Sequence, residues 1–199
     1  MDKVQFAGEF KLDKCELISS TGTFADISAI VVEINIFESI FKTALTGSVI
    51  ITDTNNLVDN MPIIGQEFLS LKISTPGLVN KDLAYDFTEN VFCVYELGGR
   101  TPASSNSEVI ELKICSPELL KNHRVRVSKA YEETVDKIVT SILENPKYIN
   151  TRKDLFIEET QGIRKIVSPN LNPYNLISNL ARESISANDE SPHFLFFEN

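Results

Sequence analysis

Two histidines, three cysteines and two adjacent carboxylate pairs are the residues of this chain best equipped for chemistry, and their spacing limits what they can do. His123 and His193 lie far apart, outside HxxxH or HExxH spacing, so they do not read as a metal pair. A Ser–His–Asp triad needs no local spacing and stays open, but no GxSxG elbow supports one. Glu132–Glu133 and Glu158–Glu159 are neighbours in sequence, and neighbours on a helix or strand point in different directions. They read as solvated acidic surface, not as a glycosidase pair flanking one bond. Cys15, Cys93 and Cys115 are widely spaced, each in a strand-like segment, with no CxxC and no nearby His. Buried thiols of a protein made in a reducing cytoplasm fit that pattern better than a zinc site or a disulfide. Neither GxGxxG nor GxxxxGK[ST] occurs. The expectation is therefore no catalytic residue, no metal, no cofactor and no enzyme.

Charge narrows the partners. Nineteen Lys and Arg stand against 28 Asp and Glu, a formal net charge of −9. Nucleic-acid binding draws its affinity from clustered cations, so specific binding of that kind is not expected. The nearest basic cluster, KNHRVRVSK (121–129), reads as a solvated linker. The start, MDKVQFAGEF, lacks the apolar core of a signal peptide, and no run approaches the roughly 18 apolar residues of a membrane span. Stable membrane insertion is not expected. At 42% hydrophobic and 24% charged, the composition is that of a folded globular chain.

These residues need a scaffold, and periodicity supplies one. Up to about residue 115 the period is two. Ile30, Val32, Ile34 and Ile36 share one face; Leu69, Leu71 and Ile73 alternate with Ser70, Lys72 and Ser74; Ile110, Leu112 and Ile114 alternate with Glu111 and Lys113. Weaker strand readings cover 9–18, 48–53 and 87–97. About six strands with one wet and one dry face predict an antiparallel sandwich or barrel over residues 1–115.

Two connections stand out. GGRTPASSNS (98–107) is polar and joins two strands as a long hairpin arm would. FESIFKTALTG (37–47) carries apolar residues at spacings of three and four, as in a short amphipathic turn of helix. It reads either as a lid over the open end of a barrel or as an apolar contact for a neighbouring subunit. In the second reading the contact residues are Phe37, Ile40, Phe41 and Leu45.

At Ser116 the period changes, and residues 116–199 read as an α+β domain. Ser116–Pro117 opens a helical turn through Leu120, and Ser128 is placed to cap a helix in SKAYEETVDKIVTSILENP. Its apolar stripe is Tyr131, Val135, Ile138, Val139, Ile142 and Leu143, and Asn145–Pro146 ends it. LFIEE (155–159) reads as a strand. In NPYNLISNLARESIS, Asn172 caps and Pro173 takes the first helical position. HFLFFE (193–198) reads as a strand so apolar that it needs a partner: either it is laid into an existing sheet or, the favoured expectation, the chain is truncated at this end and continues in a longer protein.

The succession of pieces carries a resemblance. An apolar strand, FES, then ALTGSVIITDTNNLVDNMPIIGQEFLSLKIS and an acidic β arm are followed by SPELLKN, ILENP and NPYNLISNLARESIS leading into FLFFE. In that order it resembles the tube-like first domain and following α+β domain of baseplate hub proteins from contractile-tailed (myovirus) bacteriophages. The related spike proteins of type VI secretion systems, another contractile injection system, are a close variant. The resemblance covers nearly the whole chain, although no single piece is a strict signature. It implies a virion structural protein assembled in the host cytoplasm: a homotrimer ring joining the tail tube protein to the central spike protein, with DNA passing through its lumen. Full-length hubs carry two tube-like barrels per subunit, whereas this sequence shows one and no internal repeat.

Two rival readings come from other classes. A receptor- or carbohydrate-binding tail component finds little support in a chain with no Trp and 9% aromatic residues. A cell-wall hydrolase finds less, for want of a catalytic constellation.

Overall fold

The computed structural model describes residues 9–54, 57–61, 63–75, 84–104, 107–188, 190–192 and 194–199. The chain forms two compact units. One comprises residues up to Phe37 together with Thr46–Ser116; the other comprises Glu38–Leu45 and Pro117–Asn199.

The first unit is built on one antiparallel sheet. In chain order its strands are β1 (Lys11–Ile18), β2 (Phe24–Asp26), β3 (Val31–Phe37), β4 (Thr46–Asp53), β5 (Phe68–Ser74), β6 (Tyr85–Ser104) and β7 (Ser107–Cys115), with a four-residue helix α1 (Leu57–Asn60) before β5. They lie in the order β2-β1-β5-β6-β7-β4-β3. Among the described residues this ladder is open, with β2 and β3 at its two ends. The dry face follows from alternation. Leu17 pairs with Leu69 and Leu69 with Phe92, while Val49 pairs with Leu112 and Ile51 with Ile110. All of these are buried. Ile114 and Gly47 pair within the same face. A Cβ on Gly47 would lie 2.3 Å from the Asn35 carbonyl oxygen, so the strands approach closely only because that position has no side chain.

The polar segment read as a hairpin loop is itself strand. β6 runs through Ser104 and pairs with β7 as far as Ser104–Ser107, with register shifts after Val94, Leu97 and Pro102. Bulges absorb the Gly-Gly and Pro residues without ending the ladder. Residues 105 and 106 lie outside the described residues.

The turn into β5 is held by a carboxylate. Gly65 has φ 83°, and the Ile64, Gly65 and Gln66 N–H groups donate to Glu67 at 2.9, 2.9 and 3.1 Å. Glu67 is almost fully buried, and three converging amides compensate its charge.

The second unit contains α2 (Pro117–Arg124), β8 (Ala130–Glu133), α3 (Val135–Glu144), β9 (Arg164–Val167) and α4 (Pro173–Glu183). Together the two units are α+β, mostly antiparallel. Ile138, Ile142 and Leu143 of α3 pack with Tyr174, Leu176, Ile177 and Leu180 of α4, joined by Val127, Tyr131, Ile149 and Ala44.

Three local expectations are corrected. The helix expected from Ser128 starts at Val135 with Thr134 as its N-cap, because Ala130–Glu133 pairs with Arg164–Val167 instead. Tyr131 is buried as expected, but on a strand opposite Ile166, with Glu132 ion-paired to Lys165 on the wet side. Residues 155–159 and 194–198 belong to no strand; Thr160 makes only an isolated bridge to Ser186. Residues 38–45 form no helix but a turn, closed by Lys42 N–H to the Ser39 carbonyl at 2.9 Å.

Candidate functional site

The four residues read as a contact surface separate into two kinds. Phe37, the last residue of β3, and Ile40 are about half exposed, and Phe41 is 81% exposed. Leu45 is only 5% exposed and belongs to the second unit, next in sequence to Ala44 of that unit's core. The turn at 39–42 therefore carries large apolar side chains outward, while 44–45 anchor it. Periodicity cannot make this distinction in a segment that is not a helix.

That anchor ends in a charged cluster. The Leu45 N–H donates to Glu198 Oε2 at 2.9 Å, and the other oxygen of Glu198 takes an ion pair from Lys153 Nζ. Lys153 also donates to Glu118 Oε2 at 2.9 Å, and Thr151 Oγ1 donates to Glu118 Oε1 at 3.0 Å. The three charged side chains are largely shielded, with 22%, 12% and 14% exposure for Lys153, Glu118 and Glu198. Burial alone pushes the Glu118 carboxyl up, but the Lys153 charge and the hydrogen bonds outweigh it and hold Glu118 below its ordinary range. Burial likewise pulls Lys153 down, and the Glu198 and Glu118 carboxylates raise it above the ordinary lysine value. The sequence offers no local signal for this cluster, whose members are scattered along the chain.

Beside it lies a cavity of about 350 Å³ in the second unit, walled by Val135, Val139, Leu143, Tyr174 and Ile177 and by the segments around Ile157 and Phe196. Two of the carboxylates on its wall, Asp136 and Glu158, hold bonds within the chain. Thr160 Oγ1 donates to Asp136 Oδ1 at 2.6 Å, Asp136 N–H donates to Thr160 Oγ1 at 3.1 Å, and Ser186 donates to Glu158. These bonds fasten segments of the second unit together.

The other residues considered for chemistry are dispersed. Glu132 pairs with Lys165, His193 lies outside the described residues, and His123, Arg124, Arg126 and Lys129 of the basic cluster are exposed. Lys121 donates to the Asn150 carbonyl, Arg126 to the carbonyls of His123 and Val125, and Lys129 sits 4.9 Å from the centre of the Tyr131 ring. Among the described residues, no group of three His, Cys, Asp or Glu is placed to hold a metal ion, and no helix is long and apolar enough to cross a membrane.

The sheet ends offer more. Among the described residues β3 has β4 on one side only, and Val32 on it is exposed. A single row of directly opposed residues crosses all seven strands. It runs from Phe24 to Ile18, Phe68 and Cys93, then to Cys115, Thr46 and Phe37. Directly paired residues project to the same face, so this row puts exposed Phe24 and Phe37 at its two ends.

The 43 kDa tail protein of prophage MuSo2 from Shewanella oneidensis matches over 85% of this chain and 48% of its own, with a TM-score of 0.50 and 14% identity. The chain shares its fold with a phage tail protein. A tail protein from Neisseria meningitidis MC58 matches over 84% of this chain and 44% of its own (TM-score 0.49, 10% identity). An E. coli component of the type VI secretion system, described as similar to the T4 bacteriophage tail proteins gp27 and gp5, matches over 88% and 43% (TM-score 0.42, 13% identity). The chain thus spans less than half the length of each of these structures. No family model and no curated protein matches the sequence.

Proposed function

We propose that this chain is a structural subunit of a phage tail, serving in the baseplate as part of the hub that connects the tail tube to the central spike. The observation that carries this reading is the fold shared with a prophage tail protein across both units of the chain. The sheet ends fit the duty. A strand with one unpaired edge is a template for pairing with another chain; β3 ends at Phe37, and the outward apolar residues Ile40 and Phe41 follow it in the chain. In this reading the subunit is a homotrimer, and those three residues contact the neighbouring copy. The first unit supplies tube-type barrel wall, and the net charge of −9 suits a conduit that DNA passes without sticking. No catalytic step is assigned to the chain, and its partners are its own copies, the tail tube protein and the spike protein.

Gold-labelled antibody against the purified protein tests the placement on intact virions. Label confined to the distal end of the tail tube supports the reading; label along the fibres, or none on virions that contain the protein, overturns it.

A further inference from the structure

We propose that Cys93 and Cys115 form a redox pair at the centre of the sheet, a cross-strand dithiol that low-molecular-weight disulfides convert to a disulfide. The register of β6 and β7 sets the two residues directly opposite each other, so both side chains stand on the same face of the sheet. Both are thiols in this structure.

The backbone pattern decides the geometry. Val94 N–H donates to the Glu67 carbonyl at 2.9 Å, toward β5, so the N–H and carbonyl of its neighbour Cys93 point toward β7. Cys93 and Cys115 are therefore a hydrogen-bonded pair, with a Cα separation of about 5.5 Å. That lies inside the range of about 4.4–6.8 Å that a disulfide spans. The Cβ atoms of such a pair start about 1.7 Å wider than the bond prefers. The register shift in β6 just after Val94 gives that strand local slack to close the gap. A bond formed under this tension is readily reduced again.

Cys15 is excluded. It lies on β1 opposite Leu71 of β5, on the other face of the sheet, with β5 between it and β6. Two strand spacings amount to about 9.6 Å, beyond disulfide reach. Burial pushes its thiol up to about 12, which leaves little thiolate to react.

With oxidised glutathione the step balances. Cys93, 7% exposed against 1% for Cys115, loses its proton and attacks one glutathione sulfur, and a glutathione thiolate leaves. Cys115, deprotonated in turn, attacks the Cys93 sulfur and releases the second glutathione thiolate. One protein disulfide forms, two electrons pass to glutathione, and the two thiol protons end on the two glutathione molecules. The pair stays reduced in cytoplasm and closes in an oxidising medium, fastening the middle strands of the sheet.

The experiment incubates the intact protein with excess oxidised glutathione, then counts thiols after denaturation and maps the linked peptides. The expected result is a fall from three thiols to one, a peptide joining Cys93 to Cys115, and a higher melting temperature that a reducing agent reverses. Cys15→Ser should lose both of its remaining thiols in the same way, and Cys93→Ser should form no internal link. Mapping on the unaltered protein keeps the test valid should a variant fail to fold. Three thiols persisting under conditions that oxidise the denatured chain, a link through Cys15, or glutathione adducts with no cross-link would each overturn the proposal.

Discussion

The Asn122 side-chain oxygen accepts the Tyr174 backbone N–H at 2.8 Å, so α4 is capped by a residue of α2 that precedes it by 52 positions. Asn172, the residue in the local N-cap position, turns its side-chain amide to the Asn122 carbonyl at 3.1 Å instead. Asn122 thus accepts two bonds at the start of the helix, one on its side chain and one on its carbonyl, and both Asn122 and Tyr174 are buried.

Asn122→Ala should therefore destabilise the second unit by about 1–2 kcal/mol, the loss of a cap whose donor is then buried and unpaired. Asn172→Ala should cost less, about 1 kcal/mol or below, since it removes a donor and leaves the Tyr174 N–H satisfied. Urea unfolding of the two variants gives the order. A larger loss for Asn172→Ala would show that the local residue is the true cap.

Lys153→Met should destabilise by about 3 kcal/mol, because it leaves Glu118 and Glu198 shielded from water without their shared cation. Changing Lys153, Glu118 and Glu198 together to apolar residues of similar size should recover much of the loss. Thermal melts compare the two, and equal losses would contradict the account.

The same cluster sets a pH dependence with two sides. Glu118 is held below its ordinary value of 4.5, so its contribution is complete above that pH and disappears as pH falls through the folded-state value. Lys153 is held above 10.5, so its contribution is complete below that pH and is lost as pH rises past the folded-state value. Melting temperature measured against pH should fall at both extremes. In Lys153→Met the acid-side fall should shrink, because Glu118 then loses the neighbouring charge that most favours its ionised form. An unchanged acid limb would remove the cluster from the explanation.

Gly47→Ala should destabilise the sheet by about 1–3 kcal/mol, since the added methyl meets a backbone carbonyl that cannot rotate away. Gly99, where a Cβ would meet open space, is the control and should change little as Ala. Denaturant midpoints of the two variants settle this point.

How much of this was legible in the sequence follows from the range of the interactions involved. Alternation through Ile110, Leu112 and Ile114 identified β7 because one face of that strand is buried along its length. Asn172–Pro173 marked the start of α4 for the same kind of local reason. Ala130–Glu133 was misread because its strand state depends on β9, a distant four-residue segment, while its own residues are compatible with helix. Residues 37–47 suggested a contact surface through apolar spacing alone, yet the spacing could not separate Phe41, which faces out, from Leu45, which faces in. Nor could composition reveal the Glu118–Lys153–Glu198 cluster or the opposition of Cys93 and Cys115, which exist only once strands and loops have been placed.

Sedimentation of the full-length protein at high concentration tests the central proposal, a wall-forming subunit that assembles with its own copies, most directly. The account predicts a species of three times the chain mass that Phe41→Asp, changing an exposed residue, reduces to single chains without lowering the melting temperature of each. A full-length protein that sediments as a single chain at every concentration, with or without that substitution, would contradict it.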